Sequence, residues 1–570
     1  MKFNWKVAEK IGEDFGVNLD LKLNKNILQL LANRGISDFE INSFLDPDYN
    51  ELYDPFLFKD MDKAVERVYF AIKNNQKICI YGDYDADGVC SSALMFLFLK
   101  KMGADVFCYI PDRKSEGNGL NIPAIENIKQ QGVNLIISVD TGIVAFDEVI
   151  KANSLDVDII ITDHHDPIPG RIPDALAVIN PKLDESGYFF NDLAGVGVAF
   201  KFCVALALHH SSKDEFLNFL KWNLDLVAIA TIADMVSLVS ENRIMVKYGL
   251  IVLSKTKNIG LQELFKICFD NKPHDEITVS DIGFRIGPRI NAAGRMDHAM
   301  IAFDLLITTD VISARRIALE LDLKNTERQN IVSTSVKNFI KENGNVSEDR
   351  VVIAHHDRWP VGVVGLIATK IRDYFNLPAF AMTTENNCMV GSGRSLNGFD
   401  ITKAMQDNAD LFIKFGGHEL ACGCSVAPDK YNEFVKTIKE YAKEKLENFV
   451  FVNDLNIDMI ISFDNINFEF YNDLLKLEPY GKGNDEPVFV SLSLEIVDFS
   501  VFGRNSEHFK MSLKQNGSIF SCFAFSLASE LFSKFKVGDR IDLVYKINLN
   551  EWNGSRELRL NFMDYRSVNL

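Results

Sequence analysis

The chain has 570 residues, with a hydrophobic share of 47% and a charged share of 25%, ordinary for a soluble globular protein and enough for three or four domains. Its net charge of −18 argues against a protein that coats nucleic acid through bulk electrostatics, though a local basic groove is compatible with it. No apolar stretch reaches the roughly 18 residues of a membrane span, the first ten residues lack the apolar core of a signal peptide, and the nine scattered cysteines fit a reducing compartment, so a cytoplasmic protein is expected.

Residues 1–50 read as short helical pieces ending in the turn signal Asp46-Pro47-Asp48. From Met61 a helix-like stretch leads into a strand at 78–81, and α/β alternation continues to about residue 245. That alternation predicts a mostly parallel sheet with helices on both faces. Residues 246–345 read as mainly helical. Within them, 311–343 carries Ile312, Ala314, Ile317, Ala318 and Leu321 at helical spacing without proline, as one long connecting helix or a bent pair. A second α/β unit runs from about 351 to 445, with glycine-rich turns at 391–393 and 416–417. Beyond Leu446, short alternating strands at 491–501, 509–513, 519–525, 540–547 and 557–562 suggest a small barrel, with an OB-fold the leading assignment. Residues 491–570 hold ten Lys+Arg against nine Asp+Glu, a balance of +1 in an otherwise acidic chain. The expected class is α/β with a C-terminal β-barrel, divided at 1–50, 51–245, 246–345, 346–445 and 446–570.

Acidic and imidazole side chains follow three of the β-branched runs. Asp83, Asp85 and Asp87 stand in I-Y-G-D-Y-D-A-D-G-V, Asp140 in L-I-I-S-V-D-T-G, and Asp163-His164-His165 after D-I-I-I-T. The carboxyl ends of strands are where sites form in open α/β sheets. Carboxylates one residue apart on extended chain face the same side and repel unless a cation lies between them. Hard oxygen and imidazole ligands suit Mn²⁺ or Mg²⁺ better than a thiolate-bound zinc. The competing reading of this first segment is an Asx-rich turn with Asp87 as helix N-cap. Asp234, after the apolar stretch 224–233, either closes the cluster or is a loop carboxylate at an element boundary. Of the three His-His pairs, His209-His210 reads as a helix C-terminus, and His355-His356 beside Asp357 as a secondary candidate. In His164-His165 one imidazole would ligate metal and the other would bind phosphate or support the ligands.

A pair of divalent ions about 3.5–4 Å apart activates water and clamps phosphoryl oxygens, in phosphodiester and phosphoanhydride hydrolysis alike. Other segments favour a nucleotide chain. F-R-I-G-P-R-I-N-A-A-G-R-M carries Arg285, Arg289 and Arg295, whose forks match phosphate oxygens. G-S-G-R-S offers Ser392, Arg394 and Ser395 in a glycine-lined turn, and F-G-G-H adds His418. Each turn is weak by itself; together, beside a carboxylate cluster, they point to a phosphorylated strand.

These segments resemble the DHH phosphoesterase superfamily, and their order over roughly residues 60–565 resembles the RecJ family of single-strand-specific exonucleases. The similar stretches include Y-G-D-Y-D-A-D-G, S-V-D-T-G-I, T-D-H-H, L-A-G-V-G-V-A-F, T-I-A-D-M-V, G-P-R-I-N-A-A-G-R, G-S-G-R-S and E-P-Y-G-K-G-N-D-E-P-V-F. The resemblance implies a DHH and a DHHA1 domain joined by a long helix, followed by an OB-fold. It implies two Mn²⁺ or Mg²⁺ ions on Asp85, Asp87, Asp140, His164 and Asp234, with Asp83 and Asp163 in a second tier and His165 among the catalytic positions. It also implies contacts to DNA or its 5′-phosphate from Arg113, Arg289, Arg295, Ser392, Arg394 and His418, and strand contacts in the barrel from His508, Lys510 and Trp552. The neighbouring Phe509 reads rather as a buried aromatic. The implied activity is 5′→3′ degradation of single-stranded DNA to mononucleotides in recombination and repair, by a monomer supplied by a helicase and a single-strand-binding protein. Asn118, Pro360 and Thr141 depart from the family's usual tyrosine, histidine and asparagine without removing a proposed ligand. The alternatives are an oligoribonuclease or cyclic-dinucleotide phosphodiesterase, which resemble only part of this chain, and a catalytically dead replication factor, which would have lost ligands.

Overall fold

A computed structural model of the chain describes residues 3–12, 15, 23–113, 115–270, 276–344, 349–447, 449, 451, 453–552 and 554–568. It comprises two compact units, one of Leu52–Val236 with Ile244–Phe451, the other of Met1–Glu51, Ser237–Arg243 and Val452–Leu570.

The larger unit holds two sheets. The first consists of β1 (Lys77–Gly82), β2 (Val106–Tyr109), β3 (Val133–Val139), β4 (Asp158–Thr162) and β5 (Ala177–Ile179), all parallel, in the order β2-β1-β3-β4-β5. Its central strands are apolar runs because helices cover both faces. The chain leaves β1 for β2 on one side and returns to β3 on the other. The order therefore reverses between β1 and β3, where an open parallel sheet forms a crevice at its carboxyl edge. Helices Ala86–Lys101, Gly195–His209 and Leu224–Ala233 are buried nearly all round, which explains their lack of a polar face. Lys201, which interrupts the apolar run of Gly195–His209, is itself buried and donates from Nζ to the Tyr53 carbonyl at 2.8 Å.

Val311–Asn343 forms a single 33-residue helix, which settles the choice between one helix and a bent pair. Asp310 caps it by accepting from the Ser313 N–H, and Ala314, Ile317, Ala318 and Leu321 are buried along it. Ile312, part of the same apolar spacing, faces outward instead. The second sheet contains β6 (Val352–His355), β7 (Ala379–Glu385), β8 (Cys388–Arg394), β9 (Phe412–His418) and β10 (Ala421–Val426), in the order β9-β10-β8-β7-β6. Only the β6–β7 pair is parallel. Cys422 and Cys424 are buried in its core, and all nine cysteines are unpaired.

The smaller unit contains the barrel: β11 (Phe489–Phe502), β12 (His508–Gln515), β13 (Ser518–Ala524), β14 (Arg540–Trp552) and β15 (Ser555–Ser567). The order β11-β12-β13-β15-β14 closes by pairing β14 back onto β11, with β13 and β15 parallel. That closed five-stranded arrangement is the OB-fold. Its last hairpin is longer than the spacing of apolar residues predicts, because β14 and β15 stay paired out to Trp552–Ser555.

Residues 1–50 differ from the expected run of helical pieces. Phe3–Val7 is a strand paired in parallel with Asn453–Ile457. Its alternation F-N-W-K-V packs Phe3 and Trp5 against a cluster of Leu455, Ile457 and Val490, and Trp5 Nε1 donates to Asp564 Oδ2 at 2.8 Å. Helices Lys25–Asn33 and Ile41–Leu45 share the barrel's core rather than forming a separate body. In the same unit Arg243 is fully buried. It donates to five carbonyls, those of Phe44 (2.9 Å), Lys476 (3.3 Å), Leu477 (3.0 Å), Glu478 (2.8 Å) and Pro479 (3.4 Å). Asn484 Nδ2 donates to two of the same carbonyls, so E-P-Y-G-K-G-N is a loop folded around a guanidinium. Among the described residues no single helix is long and apolar enough to cross a membrane.

Candidate metal centre

The carboxylates gather where β1, β3 and β4 end. Asp85, rather than Asp87, is the N-cap of Ala86–Lys101: its Oδ1 accepts from the N–H groups of Asp87 at 2.9 Å and Gly88 at 3.1 Å. Asp87 lies inside the first turn. Its two oxygens accept from the N–H groups of Gly195 at 2.7 Å and Val196 at 2.8 Å, at the positive end of helix Gly195–His209. Gly195 has to be a glycine here, because a Cβ would lie 2.5 Å from Asp140 Oδ1.

Asp140 follows β3 with φ +60°, a left-handed conformation that Asp tolerates better than most residues, and its N–H donates to the Thr162 carbonyl. Its Oδ1 stands 3.1 Å from His164 Nε2 without making a hydrogen bond. His164 Nε2 is also 3.7 Å from Asp234 Oδ2 and 3.9 Å from Asp87 Oδ2. Asp234 comes from the C-terminus of helix Leu224–Ala233, not from a strand end. Two ligand groups, Asp83–Asp85–Asp140 and Asp87–His164–Asp234, are bridged by a third, Asp140–His164–His165, across the Asp140–His164 contact. Within each group the potential ligand atoms lie within 4.8 Å of one another.

Asp163 faces a different task. One oxygen accepts from the Ile143 N–H at 2.9 Å, the other from the N–H groups of His164 and His165 and from His165 Nδ1 at 2.8 Å. Burial pushes its carboxyl upward, but the His165 hydrogen bond and charge outweigh that and hold it below the usual range. The same hydrogen bond raises His165 to about 9, so that this imidazole is a cation at neutral pH. His164 is lowered to about 4, by burial first and by the His165 charge second, and is therefore neutral and able to ligate.

Burial first, and neighbouring carboxylates second, push Asp87 and Asp140 far above the carboxylate range and Asp83 up to about 7. Asp83 Oδ1 and Asp140 Oδ1 are buried without hydrogen-bond partners. Several buried, mutually repelling carboxylates with unpartnered oxygens and one neutral imidazole fit a divalent cation. For the metal-free chain the sign follows from the raised Asp83. Its contribution to stability is full below about pH 3.9 and is lost as pH rises through about 7. The rise in melting temperature on adding Mn²⁺ is accordingly expected to be larger at pH 8 than at pH 5, as read by calorimetry; an increment independent of pH would contradict this.

Facing the carboxylates are guanidinium groups. Arg113 lies over the Tyr84 ring, 4.8 Å from its centroid. Arg295 donates to the Gly362 carbonyl at 3.3 Å and is lowered to about 10 by burial, then by Arg113 and Arg328. Arg394 on β8 donates to the Gly393 carbonyl at 2.7 Å. Its Nη2 and the Ser392 Oγ would lie 2.9 and 3.6 Å from a Cβ on Gly365, so both converge on the first turns of helix Val361–Phe375. A guanidinium and a hydroxyl beside the N-terminal turns of a helix can take an anion. Among the described residues, Arg113, Arg295, Arg328 and Arg394 form no ion pair with a carboxylate.

Other expected contacts stand elsewhere. Arg289 is held by Asp322 of the long helix, at 2.9 Å from Nε and 2.8 Å from Nη2, and donates to the Arg285 carbonyl, so its fork is already occupied. Arg285 lies 3.5 Å from Asp281. Ser395 donates to the Phe399 carbonyl and supports its own turn. His418 is exposed at the end of β9. His355 pairs with Asp357 at 3.1 Å on the surface, and neither joins a ligand group. In the barrel, His508 packs against Phe502 and Phe525, while Lys510 and Arg559 lie near the Phe523 ring, at 5.5 and 4.7 Å from its centroid. Phe509 is buried in the barrel core. The Trp552 side chain lies outside the described residues.

Sequence reasoning missed Tyr84, Asn291, Arg328, Phe523 and Arg559. Asn291 had a signal: in the I-N-A-A-G-R stretch its Oδ1 accepts the Ala86 N–H at 2.8 Å, and Gly294 in the same stretch packs on the Tyr84 carbonyl so tightly that a Cβ would lie 2.4 Å away. That stretch clasps the acidic loop.

Comparison with known proteins agrees over most of the chain. Residues 77–231 match the model of the DHH family N-terminal domain, 348–444 the DHHA1 domain, and 457–564 the RecJ OB domain. Among curated proteins, the single-stranded-DNA-specific exonuclease RecJ of Bacillus subtilis is 36% identical over 549 residues, covering 95% of this chain and 68% of that protein. The protein of that name in Haemophilus influenzae is 32% identical over 546 residues, covering 93% of this chain and 92% of that one. Among solved structures, RecJ from Thermus thermophilus in complex with Mn²⁺ matches with a TM-score of 0.83 at 25% identity, over 100% of this chain and 80% of that one.

Proposed function

Because the chain belongs to the RecJ family of single-stranded-DNA-specific exonucleases, we propose that it removes mononucleotides from the 5′ end of single-stranded DNA, using two ions of Mn²⁺ or Mg²⁺. The observation that carries this reading is the pair of linked ligand groups facing guanidinium groups that have no carboxylate partner among the described residues. Asp83, Asp85 and Asp140 would hold one ion, and Asp87, His164 and Asp234 the other, with Asp140 placed to serve both. Bound there, the ions supply an activated water and offset charge on the phosphoryl oxygens.

The chain's own residues do the rest. Asp163 keeps His165 protonated and aimed, giving a cation beside the scissile phosphate. Ser392, Arg394 and the N-terminus of helix Val361–Phe375 take the terminal phosphate, while Arg113 and Arg295 take the phosphate that follows. Arg289, already held by Asp322, acts by fixing the clasping helix Gly287–Met296 against the long helix rather than by gripping DNA directly. Phe523, flanked by Lys510 and Arg559, offers the barrel a platform for a base. We assign the catalytic DHH domain to about 51–245, the DHHA1 domain to 346–445 and the strand-binding barrel to 446–570, in a monomer that serves recombination and repair behind a helicase and a single-strand-binding protein.

The direct test is digestion of 5′-labelled single-stranded DNA, duplex DNA and short RNA with Mn²⁺, Mg²⁺ or EDTA. Labelled mononucleotide is expected from the single strand only, and only with a divalent ion. Release from the 3′ end, or dinucleotide products, would sink the reading. Arg394→Ala should lower the preference for 5′-phosphorylated over 5′-hydroxyl ends by roughly 10- to 100-fold, the worth of a charged hydrogen bond. An unchanged preference would place the terminal phosphate elsewhere.

A further inference from the structure

Tyr84 is the one residue of the D-Y-D-A-D loop that brings an aromatic ring, and its position is fixed from both sides. Its carbonyl is packed against Gly294, and the N–H of Ala86 is held by Asn291 Oδ1. Its ring carries the Arg113 guanidinium at 4.8 Å from the centroid. Among the described residues Arg113 has no ion pair, although Asp83 and Asp85 flank Tyr84 in sequence and Asp83 feels the Arg113 charge. A guanidinium seated on the ring between two half-buried carboxylates would ordinarily pair with one of them.

We propose that Tyr84 is a positioning residue that holds Arg113 away from the carboxylates, by stacking, so that its fork stays free for a DNA phosphate and the carboxylates stay free for metal. The proposal rests on the reading of Arg113 as a phosphate contact. A ring face attracts the cation without supplying an anion, so the guanidinium keeps its full charge toward the strand. Leucine at 84 would preserve bulk and remove that face. Arg113 would then pair with Asp83 or Asp85, with two consequences: a weaker grip on DNA and competition with the cations.

The test measures KM and kcat on 5′-phosphorylated single-stranded DNA, together with direct Mn²⁺ binding by calorimetry, for Tyr84→Leu, Tyr84→Phe, Arg113→Ala and the double variant Tyr84→Leu/Arg113→Ala. Tyr84→Leu should raise KM about tenfold, the scale of a partly desolvated cation–π contact, and weaken Mn²⁺ binding by a similar factor. Tyr84→Phe should match the parent on both. The double variant should recover Mn²⁺ affinity, because the competing guanidinium is gone, while KM stays at the Arg113→Ala value. Tyr84→Leu with parental KM and Mn²⁺ affinity, alongside a raised KM in Arg113→Ala, would overturn the proposal and leave the phosphate contact standing. An Arg113→Ala chain with parental KM would remove that contact and the proposal with it. If the double variant still bound Mn²⁺ weakly, Tyr84 would be supporting the loop alone and the positioning role would fall.

Discussion

Asp140→Asn is expected to fold, keep its affinity for the DNA end, and lose activity by a factor of roughly a thousand or more. Asparagine accepts the left-handed backbone that Asp140 adopts at φ +60°, and it preserves the N–H donated to the Thr162 carbonyl. What it removes is the charge next to His164 and to both ligand groups. Losing the electrostatic work of a shared carboxylate costs several kcal/mol of transition-state stabilisation, and each 1.36 kcal/mol is tenfold in rate. Because the parental carboxylate is buried among others that raise its pKa, the metal-free variant should also be more stable than the metal-free parent. Single-turnover rates and thermal melts read both effects. Near-parental turnover would mean that Asp140 is not where the chemistry is organised.

The second large effect is on stability. Arg243→Met keeps much of the volume but leaves five carbonyls, three of them buried, without this donor. The guanidinium also stacks on Phe44 at 4.0 Å, and burial, the largest influence on it, lowers it to about 10, so it stays charged at neutral pH. An unsatisfied buried polar group costs about 1–3 kcal/mol. Asn484 still serves two of these carbonyls, so a loss of about 3–5 kcal/mol is expected, comparable to breaking a buried ion pair. Urea unfolding followed by the barrel's aromatic signal should show a correspondingly lower midpoint. An unchanged midpoint would mean that the loop at 476–484 holds its shape without Arg243.

The sheet edge is legible in the sequence because parallel strands covered on both faces leave continuous β-branched runs, and an acid directly after such a run has one place to go. Asp83, Asp140 and His164 follow from that rule alone. Asp234 does not, since it ends a helix whose apolar stretch looks much like a buried strand. The cap at Asp85 reads equally well as Asp87 because either residue fits the turn, and only the burial of Asp87 against Gly195 and Val196, over a hundred residues away, decides between them. Arg289 is legible as a fork but not as a paired one: its partner Asp322 sits on another helix with nothing local to announce it. The strand at Phe3–Val7 escapes notice since five alternating residues are a weak signal until Asn453–Ile457 pairs with them. The barrel's strands are visible through turn residues and alternation, whereas the extent of its last hairpin depends on pairing between β14 and β15.

The most direct measurement of the central claim is a calorimetric titration of Mn²⁺ into metal-free chain at pH 8, repeated with Asp140→Asn. Two ions per chain are predicted for the parent, with both sites weakened by the substitution because Asp140, a member of one group and 3.1 Å from His164 of the other, would serve both. Binding of a single ion, or two ions whose affinities ignore Asp140→Asn, would contradict a centre built around that carboxylate.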